Sequence, residues 1–210
     1  PHELGSTGFG VFHAAKVAIE HLKLDLKKVT FAVEGFGNVG VFASKFMTQA
    51  GATLVAVSDS QGTLLNPKGI DFQKLEQIKI KLKTVTKYTD GKILPAKEIL
   101  KVNADMLITA AIPNLIQSED INNLKFKIII SGSNIPTTNE NEELIYKKGI
   151  LMIPDFVANA GGVISSYVEY KGGNEKEMFM LVEQKITENT KLILQTAQKK
   201  KCSPRSAALE

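Results

Sequence analysis

The sequence predicts an α/β domain: a doubly wound, mainly parallel sheet with helices on both faces. Three observations carry this. Short apolar runs rich in β-branched residues alternate with longer amphipathic stretches along the whole chain. The short runs, such as Ile128-Ile129-Ile130, are apolar at nearly every position, as strands covered on both faces must be. The first of them breaks into Gly35-Phe36-Gly37-Asn38-Val39-Gly40 and then into a helical pattern.

The elements follow in order. Residues 8–24 place Val11, Phe12, Ala15, Ala18, Ile19 and Leu22 at helical spacing, with Ser6 or Thr7 expected to cap the helix. The strand that starts at Val29 leads through the glycine turn into a helix over 38–50, and a second strand over 53–57 ends near the turn Asp59-Ser60-Gln61-Gly62. Asn66-Pro67-Lys68-Gly69 leads into a helix over 71–81, and the lysine-rich stretch 79–92 reads as a solvated helix end and loop. A third strand over 105–110 stops at Ile112-Pro113-Asn114, and a fourth over 127–130 runs into Ser131-Gly132-Ser133-Asn134. A helix over 139–148 and a short fifth strand over 151–153 follow. Asn159-Ala160-Gly161-Gly162 then opens a helix over 163–170, and a last long helix covers 175–201. Met178, Phe179, Leu181, Val182, Ile186, Leu192 and Leu194 are expected to form its packing face.

Composition sets bounds. At 210 residues the chain fits a single domain over 1–210, its core about 28–155, flanked by a helix at about 7–24 and helices at about 160–201. Lys and Arg number 26 against 22 Asp and Glu, with one short cluster at Lys199-Lys200-Lys201, so nucleic acid is not an expected partner. Cys202 stands alone, which excludes an internal disulfide and fits a reducing, cytoplasmic location. No apolar run reaches membrane-spanning length. His2, His13 and His21 have no companions at ligand spacing, so no metal site is expected. The chain begins at Pro1 without Met, which reads as a piece of a longer protein, and its Leu209-Glu210 end is compatible with a vector scar.

The glycine turn has a chemical meaning. Gly35 permits the tight turn off the strand, Gly37 keeps side-chain atoms away from a bound phosphate, and Gly40 lets the helix sit close on the sheet. The helix opening near Asn38 points its positive end at an anion. This is a Rossmann-like unit for a dinucleotide pyrophosphate. Asp59 follows Gly40 by nineteen positions, near where a carboxylate meets a ribose hydroxyl; the lesser alternative is that it only caps its own turn. Asn159 with Gly161-Gly162 is either a helix cap or part of a site.

Taken together and in order, Thr7-Gly8-Phe9-Gly10-Val11, Gly35-Phe36-Gly37-Asn38-Val39-Gly40, Val57-Ser58-Asp59-Ser60 and the segment Pro154-Asp155-Phe156-Val157-Ala158-Asn159-Ala160-Gly161-Gly162-Val163 resemble the cofactor domain of glutamate dehydrogenases, within the family of glutamate, leucine, phenylalanine and valine dehydrogenases. The resemblance implies reversible oxidative deamination of L-glutamate to 2-oxoglutarate and ammonia, by hydride transfer to NAD, with NADP also admitted. It implies that Gly35, Phe36, Gly37, Asn38, Val39 and Gly40 cradle the pyrophosphate, and that Asp59 and Ser60 face the adenosine ribose. Thr7, Asn134 and Asn159 would fix the nicotinamide end, Ala110 and Ala111 would line the ribose wall, and Ser166 would reach a substrate carboxylate. A catalytic lysine and aspartate would belong to an N-terminal domain without a counterpart here. No catalytic residue is therefore assigned, the isolated chain is expected to bind cofactor without turnover, and the parent is expected to be a homo-oligomer, a hexamer by resemblance. The junction near Gly5 and the last helix are the hinge candidates for domain closure.

The chain departs from the family pattern in places. His2-Glu3-Leu4-Gly5 stands where relatives carry an arginine, Thr109 replaces a proline, and Ser131-Gly132-Ser133-Asn134-Ile135-Pro136 replaces a more usual Glu-Gly-Ala-Asn-Gly-Pro. Rival readings are a non-catalytic module sensing NAD(H), a dehydrogenase for an apolar amino acid, and an adenosylmethionine-dependent transferase. The last leaves 159–162 unexplained.

Overall fold

Alternate residues of a strand face opposite sides of its sheet, and here both sides are apolar. Phe31, Val33, Met106, Ile108, Ile128 and Ile130 belong to one buried cluster, whereas the intervening Ala32, Leu107 and Ile129 belong to a second. That division forces helices onto both faces. The computed structural model describes residues 5–210, so His2, Glu3 and Leu4, at which the sequence departs from the expected family pattern, lie outside the described residues.

Seven strands form one sheet: β1 (Thr30–Glu34), β2 (Thr53–Asp59), β3 (Gly62–Leu65), β4 (Lys92–Leu94), β5 (Met106–Thr109), β6 (Ile128–Ser131) and β7 (Leu151–Ile153). Their order is β4-β3-β2-β1-β5-β6-β7. The five strands legible in the sequence pair in parallel. The other two are a correction: β3 returns antiparallel on β2, with Asp59 opposite Gly62, and β4 adds antiparallel to β3. Both are short, and the turn at Ser60-Gln61 is the tip of a hairpin rather than a loop on the way to the next helix.

The helices are α1 (Ser6–His21), α2 (Asn38–Gln49), α3 (Phe72–Leu82), α4 (Ser118–Ile121), α5 (Asn139–Lys147), α6 (Asp155–Ala158), α7 (Gly161–Tyr170), α8 (Glu175–Lys200) and α9 (Pro204–Ala208). Apolar residues of α1, α2, α3 and α8 fill the first cluster, while the short turn Ala96–Lys101, α4 and α5 supply the second. Neither Ser6 nor Thr7 caps α1: Gly5, at φ +74°, holds the N-cap position with no side-chain bond, and Ser6 is already helical and buried. The lysine-rich stretch 79–92 is largely exposed, as expected, but it is anchored at points, with Val85 and Tyr88 buried and Lys79 paired to Asp59 at 2.7 Å. Leu192 points away from the packing face of α8, on which Met178, Val182, Ile186 and Leu194 are buried. Helices α4, α6 and α9 are additions to the sequence reading. No helix among the described residues is long and apolar enough to cross a membrane.

Candidate functional site

β1 has β2 on one side and β5 on the other, so the direction of winding reverses at β1. In an open parallel sheet the ligand crevice lies beyond the strand ends at such a switch point. The residues delivered there are Gly35 to Gly37 after β1, Ser60 after β2, Ala110 and Ala111 after β5, the 132–136 loop after β6, and α6 with Asn159 after β7.

The three glycines serve different needs. Gly35 sits at φ +88°, and a Cβ on it would lie 2.4 Å from that of Ala111. A Cβ on Gly40 would lie 1.9 Å from the carbonyl oxygen of Gly35. Gly37 has an ordinary extended φ of −92°, and a Cβ there would meet nothing within 4 Å. Packing within the chain thus explains Gly35 and Gly40. At Gly37 the space in front of the backbone is open, at the N-terminus of α2, where an anion is favoured. The cradle left by the missing Cβ fits a dinucleotide phosphate. Phe36 is buried against Phe72, so at the groove it has only its backbone to offer.

A cavity of about 420 Å³ adjoins Gly35, bounded by Glu34, Asp59, Ser60, Lys97, Ala111 and Ile112. Glu34, at the carboxyl end of β1, is buried, and its Oε2 accepts from the amides of Ala110 and Ala111 at 3.1 Å each. Burial pushes its carboxyl above the usual range, against the pull of those amides. Asp59 is fully engaged by the chain. Its Oδ1 accepts from the Gln61 amide at 2.9 Å and the Thr84 hydroxyl at 3.3 Å; its Oδ2 accepts from Lys79 Nζ at 2.7 Å and the Val85 amide at 2.9 Å. Burial is the largest single influence on this carboxyl and pushes it up, but Lys79 and the Gln61 and Val85 amides together outweigh it and hold it low. Ser60, next in the chain, is exposed.

The other end of the groove is built from two asparagines. Asn159 Nδ2 donates to Asn134 Oδ1 at 2.7 Å and to the Gly132 carbonyl at 3.4 Å. Asn159 does not cap α7, whose N-cap residue is Ala160. Thr7 lies close by, since a Cβ on Gly161, the first residue of α7, would be 3.3 Å from Thr7 Cα. Ser166, one turn into α7, is exposed and donates back to the Gly162 carbonyl at 3.2 Å. Beneath the asparagines, Asp155 Oδ2 accepts from the Ile135 amide at 2.8 Å and Oδ1 from Arg205 Nη2 at 2.8 Å. The same Nη2 reaches Glu142 Oε1 at 2.7 Å. The two carboxyls on this guanidinium diverge. Burial dominates for Glu142 and pushes it up, whereas for Asp155 burial is outweighed by the Ile135 amide and Arg205, which hold it low.

The structure therefore brings the predicted residues into two groups, Gly35 to Gly40 with Asp59, Ser60, Ala110 and Ala111, and Thr7 with Asn134, Asn159 and α7. Sequence reasoning missed Glu34, Lys79, Lys97, Asp155 and Arg205. Two of them had signals: Glu34 is an acid closing an apolar strand, and Arg205 is the one arginine among 26 basic residues. No group of three or more His, Cys, Asp or Glu among the described residues could hold a metal ion.

Comparisons with known proteins show the family and the fold. The family model described as Glutamate/Leucine/Phenylalanine/Valine dehydrogenase matches residues 2–210. The glutamate dehydrogenase of Aeropyrum pernix is 42% identical over 207 residues, covering 92% of this chain and 50% of that protein. The NADP-specific glutamate dehydrogenase of Saccharolobus shibatae is 38% identical over 177 residues, covering 81% of this chain and 40% of its own length. The crystal structure of a hetero-hexameric glutamate dehydrogenase from Thermus thermophilus superposes with a TM-score of 0.89 at 21% identity, over 98% of this chain and 50% of that one. The chain spans about half the length of the curated relatives it matches.

Proposed function

The chain belongs to the glutamate/leucine/phenylalanine/valine dehydrogenase family, and on that premise we propose that it is the NAD(P)-binding portion of a glutamate dehydrogenase. The observation that carries the reading is Gly37: its extended backbone would accept a side chain, yet the space before it stays open at the start of α2. The dinucleotide supplies the hydride acceptor for oxidation of the amino acid α-carbon.

The chain's own residues bind and orient. Backbone amides at the start of α2, from Gly37 to Gly40, cradle the pyrophosphate, while Gly35, whose own amide donates to the Ser58 carbonyl, makes the turn that presents them. Ser60 makes the direct contact at the adenosine ribose, with Asp59 behind it, because both Asp59 oxygens are already bonded. Lys79 offsets the Asp59 charge, which softens its repulsion of a 2′-phosphate, so both NAD and NADP are admitted. Ala110 and Ala111, fixed by Glu34, form the ribose wall. Thr7, Asn134 and Asn159 hold the nicotinamide end, their hydroxyl and amide groups matching its carboxamide and ribose. The Ser166 hydroxyl turns from the Gly162 carbonyl to a carboxylate of L-glutamate or 2-oxoglutarate. The lysine and aspartate that activate substrate belong to a further domain of the parent enzyme, which assembles as a hexamer.

Calorimetric titration with NADH and then NADPH tests the reading. Binding of either, without deamination of glutamate by these 210 residues alone, is the expected result. A folded chain that binds neither would sink it, and binding of adenosylmethionine instead would move the chain to another chemistry.

A further inference from the structure

Ile135 is a β-branched residue at φ +47°, in the left-handed region that such side chains rarely enter. Its side chain is 59% exposed, so burial returns little for that conformation. Strain of this kind persists only where the surroundings over-determine it, and it gathers at ligand clamps.

What holds Ile135 is a short series of bonds. Its amide donates to Asp155 Oδ2 at 2.8 Å, and its carbonyl accepts from the Asn114 amide at 2.8 Å. Asp155 is in turn fixed by Arg205 through Oδ1, and the Asp155 carbonyl accepts from the Asn159 amide at 2.8 Å. Asp155 therefore grips both sides of the asparagine contact: Ile135, next to Asn134, by its side chain, and Asn159 itself by its backbone. Arg205 comes from α9, remote in sequence, and lies over the Phe156 ring at 5.1 Å. In a chain that otherwise uses lysine for every cation, an arginine stands where one group must bond two carboxylates and stack on a ring.

We propose that Arg205, acting through Asp155, is a positioning residue: it holds Ile135 left-handed and so sets Asn134 and Asn159 in the geometry that binds the nicotinamide half of the dinucleotide. This rests on the dinucleotide reading of the groove. Arg205 does not touch the ligand, and its effect passes through the 134–135 backbone.

The test uses Asp155→Asn and Arg205→Lys, each alone and combined with Ile135→Gly, because glycine takes a left-handed φ without being held there. NADH affinity is measured by fluorescence titration, and amide hydrogen exchange is followed at Ile135 with Ile129, in the core of β6, as the reference for global stability. Each single variant is expected to weaken NADH binding about tenfold and to lose protection at Ile135 beyond any loss at Ile129. Adding Ile135→Gly is expected to return affinity to within about threefold of the unsubstituted chain. A residue that only stabilised the fold would show no such recovery. Full affinity in Asp155→Asn and Arg205→Lys, or weakening that Ile135→Gly does not relieve, overturns the proposal. If the unsubstituted chain binds no NADH, the dinucleotide reading itself falls, and exchange at Ile135 alone decides whether the clamp exists.

Discussion

Gly37→Val and Gly40→Ala should fail in opposite ways. At Gly40 the added Cβ would sit 1.9 Å from the Gly35 carbonyl oxygen and 3.2 Å from Val33 Cγ1. Backbone cannot yield as a flexible side chain does, so α2 must back off by about 1 Å, at a cost near the upper end for overpacking, about 3 kcal/mol. For a chain of this length that lowers the melting temperature by about 6–12 °C. At Gly37 two small effects oppose each other. Removing a glycine from the unfolded ensemble stabilises by about 0.4–1 kcal/mol, and losing it at an N-cap costs a similar amount. Melting should shift by no more than about 4 °C. Binding behaves the other way. Valine methyls in the space before α2 would deny the pyrophosphate its amides, and losing even two charge-assisted bonds at about 1.5 kcal/mol each weakens NADH more than about 100-fold. Thermal melts followed by circular dichroism, beside calorimetric titration, measure both quantities. Near-native NADH affinity in a folded Gly37→Val chain would refute the assignment of that space to phosphate. Melting of Gly37→Val as early as Gly40→Ala would refute the separation between a packing glycine and a binding glycine.

Further outcomes follow from the buried charges. His13 is buried edge-on to the Phe9 ring at 4.4 Å, and burial lowers its pKa from 6.5 to about 4 against the opposing pull of Glu183. The folded state favours neutral imidazole, so its stability is complete above pH 6.5 and declines as pH falls toward 4, by about 3 kcal/mol in all; urea unfolding of the chain and of His13→Gln at pH 7 and 4.5 should show the loss only where His13 is present. Lys79→Met strips the cation from the mostly buried Asp59 carboxylate and should cost about 1–3 kcal/mol, a melting shift of about 2–12 °C; an unchanged melting temperature would mean that the amides and Thr84 suffice. Glu34→Gln should match or exceed the unsubstituted chain in stability at pH 7.5, with the difference shrinking toward pH 4.5. The raised pKa means that the folded state disfavours the ionised acid and is relieved by protonation, and a less stable Gln variant at pH 7.5 would contradict this.

Local pattern alone settled much of this protein. Apolar runs such as 105–110 and 127–130 could only be strands covered on both sides, and Gly35-Phe36-Gly37-Asn38-Val39-Gly40 marked the turn and helix at the groove, because glycine spacing and side-chain periodicity are properties of a short stretch of chain. What the tertiary structure decided depends on residues far apart in sequence. Thr63-Leu64-Leu65 becomes a strand because β2 offers it an edge. Asp59 is occupied because α3 carries Lys79 to within 2.7 Å and the 84–85 turn closes over it. Asn159 meets Asn134, and Arg205 reaches Asp155, across the ends of separate elements. A composition can show a lone arginine or an acid at the end of an apolar strand. Which partner each will find is set only when the sheet brings the strand ends into register, since a hydrogen bond requires atoms within about 3 Å and sequence separation says nothing of that distance.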